Sequence, residues 1–366
     1  MVMSNISKDK NIFLAAPFIG PINGHLSTAN SIKKSFISLG FKLYKVEQPS
    51  RYNFSFIKYL KYIFYIFYFN SIKKNKVYYI FLHRTRLSFY LKDFPIFIIA
   101  IISNSKIIVH LIGGDITKFI HKLSFLEKLF IFFMFSKINT WVVLGKKMRR
   151  DILSLTKSKK PKKIIINPGL CEEDNFKKIK IKKKEEITIS FMSHLIYEKG
   201  IVLFLETIID LVENHNLKIQ VKIAGKVPNG FQNKYVDSII KEAKKKDYIL
   251  FVGVLKGPLK WKFLYSSKIF VLPTFYQSES LPLVLLDAMR AGCYCISSSI
   301  GEIQSLLYEN RGCIIQNLSK NTLKKEIITI INNPNKLKNS SIKAQKFVID
   351  NFNRQKHDEI VMRTLY

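Results

Sequence analysis

Two carboxylates eight residues apart, Glu279 and Asp287, flank the start of an apolar helix within VLPTFYQSESLPLVLLDAMRAG, Val271 to Gly292. Pro282 suits the first turn of that helix, where its missing N–H costs nothing, and Gly292 suits a left-handed cap at its end. A helix N-terminus presents unpaired N–H groups and the positive end of the dipole, a ready place for a phosphate. Carboxylates beside such a place repel the phosphate itself. They make sense as acceptors for hydroxyls on either side of it, a ribose on one side and another sugar on the other. The competing reading is a capping acid at Glu279 followed by a solvated helix residue at Asp287.

The elements that must hold these groups lie on either side. Ile269 to Leu272 is uncharged and bounded by Pro273, as a buried strand is; Tyr276 to Ser280 is a polar loop; YCISSS, past the helix, is the next strand. Strand, loop, helix, strand is the βαβ unit of a parallel sheet, whose ligands bind beyond the carboxyl ends of the strands. The same alternation runs along the chain. Asn11 to Phe18, FKLYKVE, Val77 to Arg84, Lys106 to Leu111 and Thr140 to Gly145 are expected strands of a first domain, with helices over about Ser27 to Leu39 and Leu87 to Ser103. ITISF, QVKIAG, ILFVGV and GCIIQN join the Ile269 and YCISSS strands in a second. The helix predicted from Gln232 to Lys246 is charged on most faces and is expected to be exposed.

ESLPLVLLDAMRAG resembles the E-x7-E motif of the retaining glycosyltransferases of family 4, which have the GT-B fold: two Rossmann-like α/β domains whose parallel sheets face an interdomain cleft. The resemblance implies that Glu279 lies near the donor sugar and Asp287 binds the ribose of the nucleotide, although an Asp is one methylene shorter than the family's Glu. SHLIYEKG is similar to the family's G-R-L-x-x-x-K-G segment, in which Arg and Lys pair with the donor diphosphate. Lys199 matches the Lys, Ser193 replaces the Gly and His194 the Arg, and a histidine is only partly charged at neutral pH. HLIGGD resembles the histidine-glycine segment whose His lies beside the donor sugar, which makes His110 a catalytic candidate with Glu279; Asp115 is instead expected to cap the next helix. The loop GPINGH matches the family's glycine-bearing loop, so Gly20, Gly24 and His25 are implied contacts. Ser280, Leu281 and Leu283 around the helix start complete the implied donor site, with base contacts around Gly253 and Val254.

At 366 residues, 48% of them hydrophobic, the chain is long enough for two domains with large cores. Its formal charge of +34 invites a nucleic-acid reading, but the lysines are spread over both halves without a nucleic-acid-binding motif. A bias toward Lys, Ile, Asn and Phe in the coding sequence and attraction to anionic lipid account for it better. Cys171, Cys293, Cys295 and Cys313 form neither a disulfide nor a zinc pattern and read as small buried hydrophobes, which with a polar N-terminus places the chain in the cytosol. No D-x-D spacing occurs, so no metal is expected for donor binding. No apolar run reaches the ~20 residues of a membrane span. SFIKYLKYIFYIFYFNSIKKNK and LEKLFIFFMFSK mix lysines with aromatics, as helices lying in a membrane interface do; both could equally be core helices.

These readings converge on a GT-B enzyme with an acceptor-side domain over 1–168, a nucleotide-sugar domain over 169–348, and a terminal helix over 349–366 returning to the first domain. Its expected reaction is metal-independent, retaining transfer of a hexose or similar sugar from a UDP- or GDP-sugar to a growing, lipid-linked or other cell-surface glycan. The setting is the cytoplasmic face of an anionic membrane, with no cofactor and no specific nucleic acid. The alternative is a non-catalytic protein that binds a nucleotide-sugar or glycan through a degenerate site.

Overall fold

Apolar runs build both sheets of this protein. The computed structural model describes residues 9–18, 24–49, 55–156, 161–171 and 187–366. The chain divides into two compact units, Met1–Leu170 with Arg354–Tyr366, and Cys171–Asn353.

The first domain holds six parallel strands: β1 Asn11–Ala16, β2 Lys42–Glu47, β3 Lys76–Phe81, β4 Lys106–Leu111, β5 Thr140–Val143 and β6 Ile164–Ile166. Their order is β2-β1-β3-β4-β5-β6. In β1, β3 and β4 every residue after the first is buried, which is why these strands read as unbroken apolar runs rather than as alternation. The edge strand β2, KLYKVE, buries only Val46.

Helices α1 (Gly24–Ser38), α2 (Phe56–Ile72), α3 (Arg86–Ser88), α4 (Phe94–Ile102), α5 (Ile116–His121), α6 (Phe125–Ser136) and α7 (Lys146–Leu155) connect them. Crossovers between parallel strands are right-handed, so α1, which steps from β1 outward to β2, covers one face of the sheet. The crossovers that step the other way place α2, α4 and α6 on the opposite face. There the Tyr62 hydroxyl of α2 donates to the Lys92 carbonyl just before α4, and Phe94 of α4 packs on Phe130 of α6 with ring centroids 5.5 Å apart. The single helix expected from Leu87 to Ser103 is interrupted: α3 runs through a π turn, Phe89–Asp93, before α4 begins with Pro95 near its start. Such turns widen a helix by one residue and re-aim its side chains.

The second domain also has six parallel strands: β7 Thr188–Met192, β8 Gln220–Ala224, β9 Ile249–Phe251, β10 Ile269–Leu272, β11 Tyr294–Ser298 and β12 Cys313–Ile315, ordered β12-β11-β10-β7-β8-β9. Around them lie α8 (Ile201–Glu213), α9 (Lys234–Ala243), α10 (Gly257–Tyr265), α11 (Leu283–Arg290), α12 (Ile303–Leu307), α13 (Lys320–Ile331) and α14 (Pro334–Asn351). The α9 helix is not exposed all round as expected. Val236, Ile239, Ile240 and Ala243 recur at helical spacing and are buried, and the charged residues occupy only the other faces. Cys293 and Cys295 are buried thiols outside any disulfide, and Cys293 donates to the carbonyls of Leu264 and Ser267.

The last helix, α15 (Arg354–Leu365), belongs to the first domain. Its His357 meets Ser35 of α1, Nδ1 to Oγ, at 2.9 Å. Lys106 and Lys163 donate to the carbonyls of Leu365 and Arg363 at 2.8 and 2.9 Å, and Lys10 also reaches Leu365. Three ammonium groups thus meet the negative end of the helix dipole.

Candidate functional site

In the second sheet the strand order reverses between β7 and β10, and an open parallel sheet binds its ligand beyond the carboxyl ends of the strands at such a point. The loops after these two strands carry Lys199 and Glu279. Lys199 ends a short 3-10 turn, Tyr197–Lys199, and Gly200 follows with φ +80°. A Cβ at Gly200 would stand 2.1 Å from the Pro273 carbonyl oxygen, so the turn rests directly on the end of β10. The Phe275 N–H and the Thr274 hydroxyl both donate to the Glu198 carbonyl, at 2.8 and 3.3 Å, and pin the two loops together.

That seat brings the Lys199 ammonium onto the Glu279 carboxylate, with the two side chains 15% and 10% exposed. The same ammonium lies 4.8 Å from the centroid of the Tyr276 ring. On its far side the Glu279 loop is held by Gly301, at φ +60°, where a Cβ would meet the Ser280 carbonyl oxygen at 2.3 Å. The Glu302 N–H donates to that same oxygen at 2.6 Å. Ser280 and Leu281 are buried beneath this clamp, and Leu283 opens α11.

Asp287 stands in the second turn of α11 and is 7% exposed, not solvated. Lys260 of α10 reaches it at 2.9 Å and the Cys171 thiol donates to it at 3.4 Å. Burial, and then the adjacent Asp287 carboxylate, push the Cys171 thiol well above the ordinary range, so it stays a protonated donor. Neither partner was legible beforehand: Lys260 lies 27 residues and Cys171 116 residues from Asp287 in the chain.

His194, at the position of the family's arginine, is exposed on the loop after β7. Partial desolvation, then the charges of Lys199 and Lys226, lower its pKa below the ordinary imidazole value. At neutral pH it offers hydrogen bonds, and the fixed positive charge there comes from Lys199. Gly253 has φ +70° and accepts from the Gly225 N–H at 2.8 Å, beside the exposed Val254.

The first-domain residues are placed differently. Gly20 lies outside the described residues, and Gly24 is the first residue of α1. His25 is held neutral, its pKa lowered to about 4 by burial and then by Arg84 and His83, against the opposing pull of Asp115. His110 does not open at the edge of the sheet: β4 continues past it to Leu111, and its side chain is wholly buried. Its Nδ1 pairs with the Tyr79 hydroxyl at 2.9 Å, its ring stacks on Phe81, and Nε2 has no hydrogen-bond partner among the described residues. Burial lowers its pKa to about 3, with His357 and His25 adding to the effect. Asp115 occupies the position before α5 but makes no cap bond; its carboxylate binds the Arg84 guanidinium.

Residues 172–347 match the sequence model of the glycosyl transferases group 1. An uncharacterized glycosyltransferase of Methanocaldococcus jannaschii is 24% identical over 177 residues, 45% of this chain and 44% of that protein. The capsular polysaccharide biosynthesis glycosyltransferase CapH of Staphylococcus aureus is 29% identical over 120 residues, 33% of this chain and 32% of that protein. The chain thus spans less than half the length of these curated relatives. Among solved structures, HepE of Anabaena in complex with UDP and glucose superposes with a TM-score of 0.70 at 13% identity, covering 97% of this chain and 99% of that one. Two Rossmann-like domains with parallel sheets, and a lysine–glutamate pair seated where the second sheet reverses, accord with these likenesses. Residues 172–347, nearly the whole second domain, are thus similar in sequence to the glycosyl transferases group 1, on a chain with the GT-B fold.

Proposed function

We propose that the protein transfers a hexose or similar sugar from a UDP- or GDP-sugar to a growing cell-surface glycan, without metal and with retention at the anomeric carbon. The observation that carries this reading is the Lys199–Glu279 pair, locked at the switch point of the second sheet by Gly200 and Gly301. HepE, the structural relative, binds UDP and glucose, and CapH serves capsular polysaccharide synthesis.

An ammonium has three N–H donors, so Lys199 can keep Glu279 and still donate to oxygens of a departing pyrophosphate. Such a fixed, partly buried charge stabilises the leaving group without reorganising as the bond breaks. The N–H groups at the start of α11 add to it. Glu279 has a second oxygen for a sugar hydroxyl, and Asp287, oriented by Lys260 and the Cys171 thiol, accepts from the ribose. Attack on the face the pyrophosphate leaves accounts for retention without a second nucleophilic carboxylate. Lys199→Ala and Glu279→Ala are the test: transfer or donor hydrolysis falls ~10²–10³-fold in each if these groups bear on the transition state. Unchanged turnover in both rejects the assignment.

The reaction is proposed to take place on the cytoplasmic face of an anionic membrane. Among the described residues no helix is long and apolar enough to cross a membrane. Yet α2 exposes Phe56, Ile57, Leu60, Phe64 and Phe67, and α6 exposes Phe125, Leu126, Leu129 and Phe133, with Phe64 69% and Leu126 75% exposed. Both helices lie on one face of the first sheet, flanked by the exposed lysines Lys58, Lys61, Lys74 and Lys137. Apolar groups beside lysines fit a headgroup boundary, where each basic residue contributes about 1 kcal/mol. Indifference of the protein to anionic liposomes at low salt would remove this part of the proposal.

A further inference from the structure

Asp287 is tied to more than the helix that carries it. The second domain begins at Cys171 and ends at Asn353, so Cys171 is its first residue and Phe352 stands beside its last. The Cys171 N–H donates to the Phe352 carbonyl at 3.2 Å, which fastens the incoming segment of chain to the outgoing one. The Cys171 thiol donates to Asp287 Oδ1 at 3.4 Å, while Lys260 holds Oδ2 at 2.9 Å. The outgoing segment reaches α11 by a second route. Helix α14, which ends one residue before Phe352, packs along α11, and its Gln345 amide donates to the Arg290 carbonyl at 2.9 Å. Both connecting segments are thereby fastened to the helix that carries Asp287.

These contacts are of a kind that transmits. Cys171, Asp287 and Phe352 are all buried, so water hardly competes for the thiol proton or for the backbone bond. A thiol is a weak donor, but an ionised acceptor strengthens its bond, and burial keeps the proton on the sulfur. Phe352 is fixed in turn by Phe347 of α14, with ring centroids 5.7 Å apart. A chain of direct contacts thus runs from the Asp287 carboxylate, through one side chain, to the hydrogen bond between the two connecting segments. A group that binds Asp287 and restricts its carboxylate restricts Cys171 as well. By linkage, whatever loosens Cys171 weakens the binding of that group by the same factor. A nucleotide's ribose is such a group, because its two neighbouring hydroxyls can both donate to one carboxylate.

We infer that Cys171 is a positioning residue through which a ribose on Asp287 tightens the hydrogen bond between the two connecting segments, so that nucleotide binding is felt at the Cys171–Phe352 junction. The inference rests on the transferase reading, which places a ribose at Asp287. The test is hydrogen exchange of the full chain, followed at the Cys171 amide. UDP and GDP are the probes, together with the 2′,3′-dideoxy analogue of whichever binds. The nucleotide slows exchange of that amide about fivefold or more, the lower end of an ordinary coupling between sites. The dideoxy analogue keeps the pyrophosphate, lacks the hydroxyls and does not slow it. Cys171→Ala weakens the nucleotide about threefold or more, leaves the affinity of the dideoxy analogue unchanged and abolishes the slowing at residue 171. Cys171→Ser keeps a donor and restores both. A merely structural Cys171 would alter exchange in the free protein and leave the response to nucleotide intact. The inference is overturned if bound nucleotide leaves the Cys171 amide unchanged or speeds its exchange, if the dideoxy analogue slows it as much as its parent, or if Cys171→Ala responds like the native protein. Failure of both UDP and GDP to bind overturns the transferase reading and this inference with it, whereas binding without slowing counts against the inference alone.

Discussion

Gly200→Ala isolates the contact that seats Lys199. The residue has φ +80°, so an alanine there carries about 1–2 kcal/mol of left-handed strain. Its Cβ would also lie 2.1 Å from the Pro273 carbonyl oxygen, more than an ångström inside ordinary contact, and backbone rather than a flexible side-chain tip must yield. Overpacking of that kind costs about 1–3 kcal/mol more. Together the two terms predict a loss of roughly 2–5 kcal/mol. For a domain of this size that lowers the melting temperature by about 5–15 °C. Gly230→Ala is the matched control, because Gly230 has φ +81° and nothing within 4 Å of the added atom. It should show the strain alone. Calorimetry gives the two stabilities, and a UDP titration reports the site. A shift of the turn by about an ångström lowers turnover ~10²-fold, since the ammonium is displaced from Glu279 and from the pyrophosphate. Should Gly200→Ala melt with Gly230→Ala and bind UDP like the native protein, the close approach to Pro273 is not what positions Lys199.

Lys199→Met leaves the Glu279 carboxylate buried without its partner and should lose about 3–5 kcal/mol, while the double change Lys199→Met, Glu279→Gln regains most of that stability and none of the turnover; parallel calorimetry and transfer assays separate the two roles. Lys260→Met should raise the UDP dissociation constant several-fold with little effect on sugar-dependent steps, as read by titration with UDP and a UDP-sugar, because Asp287 loses the group that orients it. His110 and His357 have folded pKa values lowered to about 3 and about 4, chiefly by burial, against about 6.5 unfolded. The unfolded chain therefore takes up protons first, so stability is complete above about pH 6.5 and is lost as the pH falls toward 4, at up to about 1.4 kcal/mol per pH unit for each histidine. Melting curves from pH 7 to 4 should flatten in His110→Asn. Phe64→Glu with Phe133→Glu should abolish co-sedimentation with anionic liposomes while leaving UDP affinity intact.

The parts of this protein that follow from local chemistry were legible in its sequence. Uncharged runs became strands, and the apolar helix after Pro282 ends where Gly292 takes a left-handed conformation, φ +79°. What could not be read were the partners. Lys199 and Glu279 are 80 residues apart, and only the strand order that sets β7 beside β10 brings their loops together. His110 reads as an edge residue because a glycine pair follows it, but pleating turned its side chain into the sheet face beneath α1. Asp93 lay inside what reads as a continuous helix, and the π turn that delivers it to His83 left no periodic trace. The aromatic helices posed the opposite difficulty. Tyr62, Ile66 and Phe69 of α2 are core, while Phe64 and Phe67 of the same helix are exposed, so the core reading holds for one face only.

The position of α15 has a consequence for biosynthesis. The first domain lacks this helix until residues 171–353 have been made, a delay of 183 residues. At the usual ribosomal pace of about 5–20 residues per second that is roughly 10–40 s. Throughout it the face of α1 around Ser35 stands uncovered, and Lys10, Lys106 and Lys163 await the carbonyls they will cap. The later-translated domain can thus mature first, and the earlier one is completed only when residues 354–366 emerge.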